Sequence, residues 1–170
     1  MKTMIIGFSG SGKSTLARAI GEKQGAPVLY LDKVHWLPGW QERERYEELR
    51  IVSEFLDNNG SWVIDGNYNK LCFERRCLEA DRIIFMDFNR ISCLVRAIRR
   101  KREHEGKTRF SMTEGCPEKI DREFLAWLLF KGRSAKRRGK FLAAVRQYKE
   151  KSIVIKNQRQ LEKLYKTLLA

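Results

Sequence analysis

The segment from Gly7 to Ser14 restricts the fold of this chain more than any other feature. It reads Gly-Phe-Ser-Gly-Ser-Gly-Lys-Ser and fits the pattern G-x-x-x-x-G-K-[ST]. A short apolar run, Met4 to Ile6, precedes this segment, and Leu16, Ala17 and Ile20 follow it at helical spacing. A strand, a glycine-rich turn and a helix in this order predict a P-loop, which binds the phosphates of a nucleotide.

Each residue type in this loop serves phosphate binding. Glycine lets the backbone curl closely enough for its N–H groups to surround a phosphate chain. Lys13 is predicted to reach the β- and γ-phosphates and to act in catalysis, and the Ser14 hydroxyl is predicted to ligate Mg²⁺. The pattern therefore predicts ATP and Mg²⁺ as cofactors. The residues predicted to bind the nucleotide are Gly7, Ser9, Gly10, Ser11, Gly12, Lys13, Ser14 and Thr15.

Length and composition fit a single globular domain that spans all 170 residues. The apolar content is 42%, yet no window approaches the roughly 18 consecutive apolar residues of a membrane span. We expect no membrane partner and a cytoplasmic location, since the single Lys2 precedes a strand rather than a cleavable signal. The four cysteines form no C-x-x-C pair and are predicted to be reduced, mostly buried thiols.

The net charge of +14 is unevenly distributed along the chain. Residues 90–151 contain nineteen Lys or Arg but only seven Asp or Glu, so most of the excess lies there. A lid that closes over polyphosphates needs cations, and a nucleic-acid-binding protein needs a basic face. The charge therefore predicts either a basic lid-like insertion at roughly 100–140 or a nucleic-acid interface.

Three apolar runs end in an aspartate, as strands of an open α/β sheet do where they meet a ligand. Asp32 ends the first run and is a candidate for orienting or deprotonating an acceptor hydroxyl. Asp65 and Asp87 end the other two, and each fits the carboxylate that holds Mg²⁺ opposite Ser14. Asp65 is preferred, but the pattern alone leaves both open.

Aromatic and basic residues between these acids suggest further site groups. Trp36 and Trp40 would either clamp a flat acceptor or anchor a loop to the core. Two adjacent arginines, Arg75 and Arg76, fall on a short predicted helix that could face the acceptor, although most such arginines are solvated.

A later helical segment contains two arginines one turn apart, Arg96 and Arg100. Both can project toward the same phosphate or adenine, so they are candidate catalytic residues. An amphipathic helix is predicted over 45–59, an apolar helix segment over 124–130, a last strand over 152–155 and a closing helix after it.

Several segments together resemble one family, the bacterial DNA topology modulation proteins, also called FlaR-like, which are relatives of adenylate kinase. The resemblance covers nearly the whole chain. It is carried by the P-loop together with Leu31-Asp32, the Trp36–Trp40 loop, Val63 to Tyr68, Ala80 to Ile84, and Glu114 to Glu118.

This resemblance implies an α/β fold of three layers, with a five-stranded parallel sheet in the order 2-3-1-4-5 and helices on both faces. It also implies an acceptor-binding region after strand two and a lid after strand four. By similarity to adenylate kinase, Asp65 becomes the Mg²⁺-associated acid in place of Asp87, and Arg96 and Arg100 match its two arginines after strand four. The chain departs from adenylate kinases after Gly66, where Asn67-Tyr68-Asn69 replaces Phe-Pro-Arg, so we expect an acceptor other than AMP.

Two functions follow from these observations. The first is a Mg²⁺-ATP-dependent, kinase-like phosphotransferase with an unknown small-molecule acceptor, acting as a monomer or a homodimer. The alternative is an ATP-gated nucleic-acid-binding regulator that affects DNA topology through its basic region. The enzyme is preferred because the basic residues fall where a lid is expected, and because no DNA-reading helix motif is evident.

Overall fold

The computed structural model describes residues 1–103, 108–117 and 120–169. Within these residues the chain alternates strands and helices. The strands are β1 (Lys2–Gly7), β2 (Val28–Tyr30), β3 (Trp36–Leu37), β4 (Gln41–Glu42), β5 (Trp62–Asp65), β6 (Arg82–Met86) and β7 (Ser152–Ile155). The α-helices are α1 (Lys13–Gln24), α2 (Leu31–His35), α3 (Arg45–Asn58), α4 (Phe73–Glu79), α5 (Arg90–Glu103), α6 (Arg122–Leu129), α7 (Ala135–Gln147) and α8 (Gln158–Leu169).

Five strands form one parallel sheet in the order β2-β5-β1-β6-β7. Counted along the chain within this sheet, the order is 2-3-1-4-5, which confirms the predicted topology. The two-residue strands β3 and β4 form a separate antiparallel pair in the connection after β2. The strand β1 lies at the centre, so the turn that follows it leaves the sheet at its middle.

Helices cover both faces of this sheet. The connection from β1 to β2 crosses the sheet in one direction. The connections from β2 to β5, from β5 to β6 and from β6 to β7 all run in the opposite direction. Because parallel crossovers are right-handed, α1 lies on one face and α3, α4 and α7 lie on the other. The contact between α1 and α8 places α8 beside α1. The central strands are buried on both faces, as their apolar sequences predicted.

The helix predicted over 45–59 is confirmed as α3, and the apolar segment after residue 121 forms α6. Asp121 caps α6, since its carboxylate accepts a hydrogen bond from the Phe124 amide at 2.7 Å. The strand predicted to run to Asp32 ends earlier. The chain turns into α2 at Leu31, so Asp32 lies in the first turn of a short helix.

The predicted lid region is described only in part. His104 to Lys107 and Glu118, which belonged to the predicted lid and to the family resemblance, lie outside the described residues. The remainder comprises the end of α5, an irregular segment at 108–117, α6 and the start of α7. No described helix has the length and apolar character that crossing a membrane requires.

Candidate phosphate-binding and acceptor site

The turn between β1 and α1 has the backbone that a P-loop requires. Gly10 and Gly12 have φ values of +78° and +95°, which L-residues with side chains rarely adopt. A Cβ atom on Gly10 would lie 2.4 Å from the Cys93 carbonyl oxygen, so the turn also packs tightly against α5. Gly12 forms the N-cap of α1, and the helix dipole therefore points its positive end toward this turn.

Lys13 and Ser14 follow this turn at the start of α1. Lys13 Nζ donates a hydrogen bond to the Phe8 carbonyl oxygen at 3.0 Å, so the ammonium folds back over the turn. Ser14 Oγ donates to Asp65 Oδ2 at 2.6 Å, which joins the P-loop to the end of β5. The predicted pairing of Ser14 with Asp65 is therefore present in the fold.

Asp65 is the better placed of the two candidate metal-binding carboxylates. It is 5% exposed, and its Oδ1 atom is buried without a hydrogen-bond partner among the described residues. Asp87 instead accepts hydrogen bonds from the Arg138 guanidinium at 2.7 and 3.3 Å. Since a buried carboxylate oxygen without a donor is costly, the Asp65 oxygen suits a cation. The site therefore favours Asp65 over Asp87.

The fit of a magnesium ion rests on this donor set. No group of three or more His, Cys, Asp or Glu side chains that could hold a metal ion occurs in the described part of the chain. Mg²⁺, however, usually takes one or two protein oxygens and completes its shell with water and substrate phosphates. Ser14 Oγ and Asp65 Oδ1 meet that requirement, so the residues fit Mg²⁺ bound together with a nucleotide.

The site contains two buried charged groups of opposite sign, Lys13 and Asp65, and each affects the pKa of the other. Burial lowers the pKa of Lys13, and the negative charges of Asp65 and Asp32 counteract this effect. Burial raises the pKa of Asp65, and the charge of Lys13 counteracts that effect. Arg109 acts on the pKa of both residues, so Asp32 and Arg109 belong to the same electrostatic neighbourhood as the P-loop.

Asp32 lies between two partners that sequence reasoning had not assigned to it. Its Oδ1 atom accepts a hydrogen bond from Tyr68 Oη at 2.8 Å, and its Oδ2 atom accepts one from Arg109 at 3.2 Å. Burial and the Asp32 charge raise the pKa of Tyr68 far above its ordinary value, so its hydroxyl stays a donor. Together Tyr68 and Arg109 hold the Asp32 carboxylate in one direction, close enough for its charge to act on Lys13.

Arg109 belongs to the segment 108–117. Hydrogen bonds join this segment to the connection between β2 and α3. The Thr113 hydroxyl donates to the carbonyl oxygen of Trp36, and the Gly39 amide donates to the carbonyl oxygen of Gly115 at 3.1 Å. Cys116 Sγ lies 3.2 Å from the Leu37 carbonyl oxygen. This segment therefore forms one wall of the Asp32 site.

The aromatic residues after α2 pack against one another. The Trp36 and Trp40 rings meet edge to face, with centroids 5.4 Å apart and planes at 73°. Two rings in this arrangement do not form parallel walls around a flat acceptor. The geometry favours the interpretation that they anchor the loop.

The two candidate lid arginines lie on α5. Arg96 donates to the Ser11 carbonyl oxygen at 2.8 Å and stacks over the Phe88 ring at 4.2 Å. Arg96 therefore contacts the P-loop directly, and its catalytic role stays a prediction. Arg100 lies one turn further along α5 and is half-buried, and its catalytic role stays a prediction.

The expectation that Arg75 or Arg76 could face the acceptor is not met. Arg76 is completely buried, and it donates to the carbonyl oxygens of Leu71, Gly66, Asn67 and Tyr68 at 2.8 to 3.3 Å. Arg75 lies at the surface, where it pairs with Asp57 and Glu79. Arg76 thus supports the backbone that carries Tyr68 rather than binding a ligand itself.

Solved structures with the same architecture include kinases of small molecules. A deoxyadenosine kinase from M. mycoides with bound dATP superposes with a TM-score of 0.60 at 17% identity, and the match covers 100% of both chains. The fold is that of a P-loop kinase. A shikimate kinase from Acinetobacter baumannii in complex with shikimate gives a TM-score of 0.50 at 16% identity, with 99% of this chain and 92% of that chain covered.

A gluconokinase from Sinorhizobium meliloti 1021 gives a TM-score of 0.50 at 17% identity, with 99% of this chain and 89% of that chain covered. No protein-family model and no curated protein sequence matches the chain. At identities this low, the superpositions show a shared P-loop kinase fold and no more. Membership of the topology-modulation family stays a prediction from the sequence.

Proposed function

We propose that this protein is a Mg²⁺-ATP-dependent phosphotransferase, a kinase that acts on a hydroxyl group of a small-molecule acceptor. The observation that carries the proposal is the hydrogen bond from Ser14 to Asp65 Oδ2, while Asp65 Oδ1 is buried without a hydrogen-bond partner in the described part of the chain. This arrangement joins a phosphate-binding turn to a carboxylate suited to a cation. The kinase fold supports the same conclusion.

The P-loop residues would hold and neutralise the nucleotide phosphates. Backbone amides from Ser9 to Ser14, with Thr15 at the opening of the helix, would surround the phosphate chain, and Lys13 would exchange its bond to the Phe8 carbonyl for a phosphate oxygen. Arg96 and Arg100 would offset the charge that develops on the transferred group. A bound Mg²⁺ supplies further charge neutralisation on the β- and γ-phosphates. Ser14 and Asp65 are the residues that would hold it.

Asp32 is the proposed base of the acceptor site. Tyr68 and Arg109 bind its two oxygens, which fixes the direction of the carboxylate. An acceptor hydroxyl beside Asp32 would donate a hydrogen bond to that carboxylate, and Asp32 would take the proton as the oxygen attacks the γ-phosphorus. The bond from the γ-phosphorus to the bridging oxygen would break, and ADP would leave. In this proposal Arg109 and Tyr68 position the Asp32 carboxylate, and Asp32 would contact the acceptor.

The acceptor is proposed to differ from a nucleoside monophosphate. The segment after Gly66 has Asn67 and Tyr68 where adenylate kinases have Phe-Pro-Arg, and both side chains are occupied within the fold. Neither supplies a cation for an acceptor phosphate. We retain as proposals the relationship to the topology-modulation family, the cytoplasmic location and the monomeric or homodimeric state.

The nucleic-acid-binding alternative has weaker support. Several basic side chains of residues 90–151 are engaged within the fold, including Arg96 at Ser11, Arg109 at Asp32 and Arg138 at Asp87. A DNA-binding surface needs cations directed outward along a continuous face. Because these arginines bind groups of the protein itself, they favour the phosphotransferase over the nucleic-acid-binding regulator.

A phosphoryl-transfer screen tests the proposal. Labelled Mg²⁺-ATP would be incubated with pools of nucleosides, sugars and small hydroxy acids, and the label would be followed into the acceptor. We expect transfer to at least one pool by the wild-type protein and none by Lys13→Ala. Transfer to no pool, or equal transfer by Lys13→Ala, would overturn the proposal.

A further inference from the structure

A cavity of about 480 Å³ opens beside the P-loop, on the side of β6 and β7. Its walls come from the ends of these two strands, from the turn before α7 and from α7 itself. The lining residues are Phe8, Asp87, Phe88, Asn89, Arg90, Arg133, Arg138 and Lys156. Phe8 is the one residue of the turn from Gly7 to Ser14 among the described lining residues, so the cavity adjoins the first part of that turn.

The cavity is strongly positive. Among its described lining residues four carry a cationic side chain, and Asp87 alone carries a carboxylate. The Asp87 side chain is only 8% exposed, and Arg138 binds both of its oxygens. Because Arg138 offsets this carboxylate, the charges of Arg90, Arg133 and Lys156 are left to act on whatever enters the cavity.

Arg133 is held in a fixed position by neutral groups. Its guanidinium donates to the carbonyl oxygens of Leu128 at 3.0 Å and Phe88 at 2.8 Å, lies 2.8 Å from Cys93 Sγ, and stacks over the Phe8 ring at 4.1 Å. None of these groups carries a compensating carboxylate charge. A partly buried cation with only neutral acceptors attracts an anion strongly, since water screens it less.

Arg90 and Lys156 complete the positive wall from two different elements. Arg90 lies over the Phe130 ring at 5.9 Å, and Lys156 follows the end of β7. Neither side chain forms an ion pair with a carboxylate among residues 1–103, 108–117 and 120–169. Both can therefore turn toward a ligand without breaking a contact between charged groups.

We propose that this cavity binds a small phosphate-bearing molecule. Guanidinium groups and an ammonium that converge from three sides match the several oxygens of a phosphate dianion. The volume of about 480 Å³ accepts a phosphate with a small organic group. The proposal does not rest on the proposed kinase activity, since neither Lys13 nor Ser14 lines the cavity.

Nuclear magnetic resonance can test this site in the Lys13→Ala background, which weakens any binding of phosphate at the P-loop. The ¹⁵N-labelled full chain would be titrated with inorganic phosphate, with glycerol 3-phosphate and with sodium chloride at constant ionic strength. We expect saturable shifts of the amides of Asn89 to Ser92 with either phosphate compound and none with chloride. Tighter binding of the ester would identify the organic group as part of the ligand.

Matched double variants make the test specific. Arg90→Gln with Lys156→Gln removes two cavity cations and should weaken phosphate binding at least tenfold. Arg99→Gln with Lys163→Gln removes the same charge from exposed positions on α5 and α8 and should leave it unchanged. Arg133 is left intact because it supports the fold.

The proposal is overturned if phosphate produces no saturable shift at Asn89 to Ser92, or if both double variants weaken binding equally. It is also overturned if a DNA duplex shifts these amides while phosphate and its ester do not. In that case the basic cavity would be part of a nucleic-acid interface instead.

Discussion

The side-chain amide of Asn67 forms two hydrogen bonds with the backbone of Gly7. Its Oδ1 atom accepts from the Gly7 amide, and its Nδ2 atom donates to the Gly7 carbonyl oxygen, each at 2.9 Å. One side chain thus joins the segment after β5 to the first residue of the P-loop. Asp65 lies two residues before Asn67, and Tyr68 follows it directly. The two hydrogen bonds of Asn67 therefore fix the position of both residues with respect to the phosphate-binding turn.

Replacing Asn67 should destabilise the protein and loosen this connection. Asn67→Ala removes both hydrogen bonds and leaves two backbone groups of Gly7 without this partner, so we expect a loss of about 2 kcal/mol in the free energy of unfolding. Chemical denaturation measures it. Asn69→Ala is the control, because Asn69 is exposed two residues further on, and its effect should stay within about 0.5 kcal/mol. Equal effects of the two variants would contradict the assigned role.

The local pattern predicted the P-loop but could not decide between Asp65 and Asp87; the family resemblance implied the sheet order and the choice of Asp65. Both residues end an apolar strand next to β1, and their local patterns are the same. The fold separates them because α1, which carries Ser14, packs against β5, whereas Arg138 of α7 reaches Asp87 beside β6. The distinction depends on which helix covers which face.

Residues that position Asp32 were missed for a different reason. Arg109 is 77 positions from Asp32 in sequence, and no spacing rule connects the two. The sequence did mark Asn67 and Tyr68 as unusual, since the adenylate kinase pattern has other residues at their positions. Their hydrogen-bond partners could be identified only from the fold. Arg76 gave no sign of burial, because an arginine in a charged segment usually faces solvent.

Two neighbouring arginines should differ sharply in their contribution to stability. Arg76→Leu leaves several buried carbonyl oxygens without a donor, and we expect a loss of about 3 kcal/mol or more. Arg75→Leu breaks two ion pairs and a hydrogen bond to Ser53 near the surface and should cost less than about 1 kcal/mol. Urea unfolding of both variants gives the comparison. A small effect of Arg76→Leu would show that its carbonyl contacts do not hold the fold.

Glycine substitutions test the backbone of the P-loop. Gly10→Ala places a Cβ atom 2.4 Å from the Cys93 carbonyl at positive φ, so we expect a loss of about 2 kcal/mol or more and at least tenfold weaker nucleotide binding. Gly139→Ala adds a methyl group with nothing within 4 Å inside α7 and should stabilise the protein by about 0.5–1 kcal/mol. Thermal unfolding and calorimetry measure both effects. A Gly10→Ala variant that binds nucleotide normally would argue against this loop geometry.

Asp32→Asn should separate nucleotide binding from phosphoryl transfer. The amide keeps the shape of the side chain but cannot take a proton, so transfer to the acceptor should fall by about 10²- to 10⁴-fold. ATP affinity should not fall, since the P-loop donors are unchanged and the variant removes a negative charge that acts on Lys13. Tyr68→Phe, which removes one bond to Asp32, should cause a smaller loss of transfer. Unchanged transfer in Asp32→Asn would remove Asp32 from the proposed chemistry.

The central claim is that the turn from Gly7 to Ser14 binds a nucleoside triphosphate together with Mg²⁺. Calorimetric titration of Mg²⁺-ATP into the wild-type protein and into Lys13→Ala tests it most directly. We expect saturable binding by the wild type and at least tenfold weaker binding by Lys13→Ala, because the variant loses the ammonium that faces the phosphates. Absence of heat with ATP and with GTP, or equal affinity of the two proteins, would contradict the account.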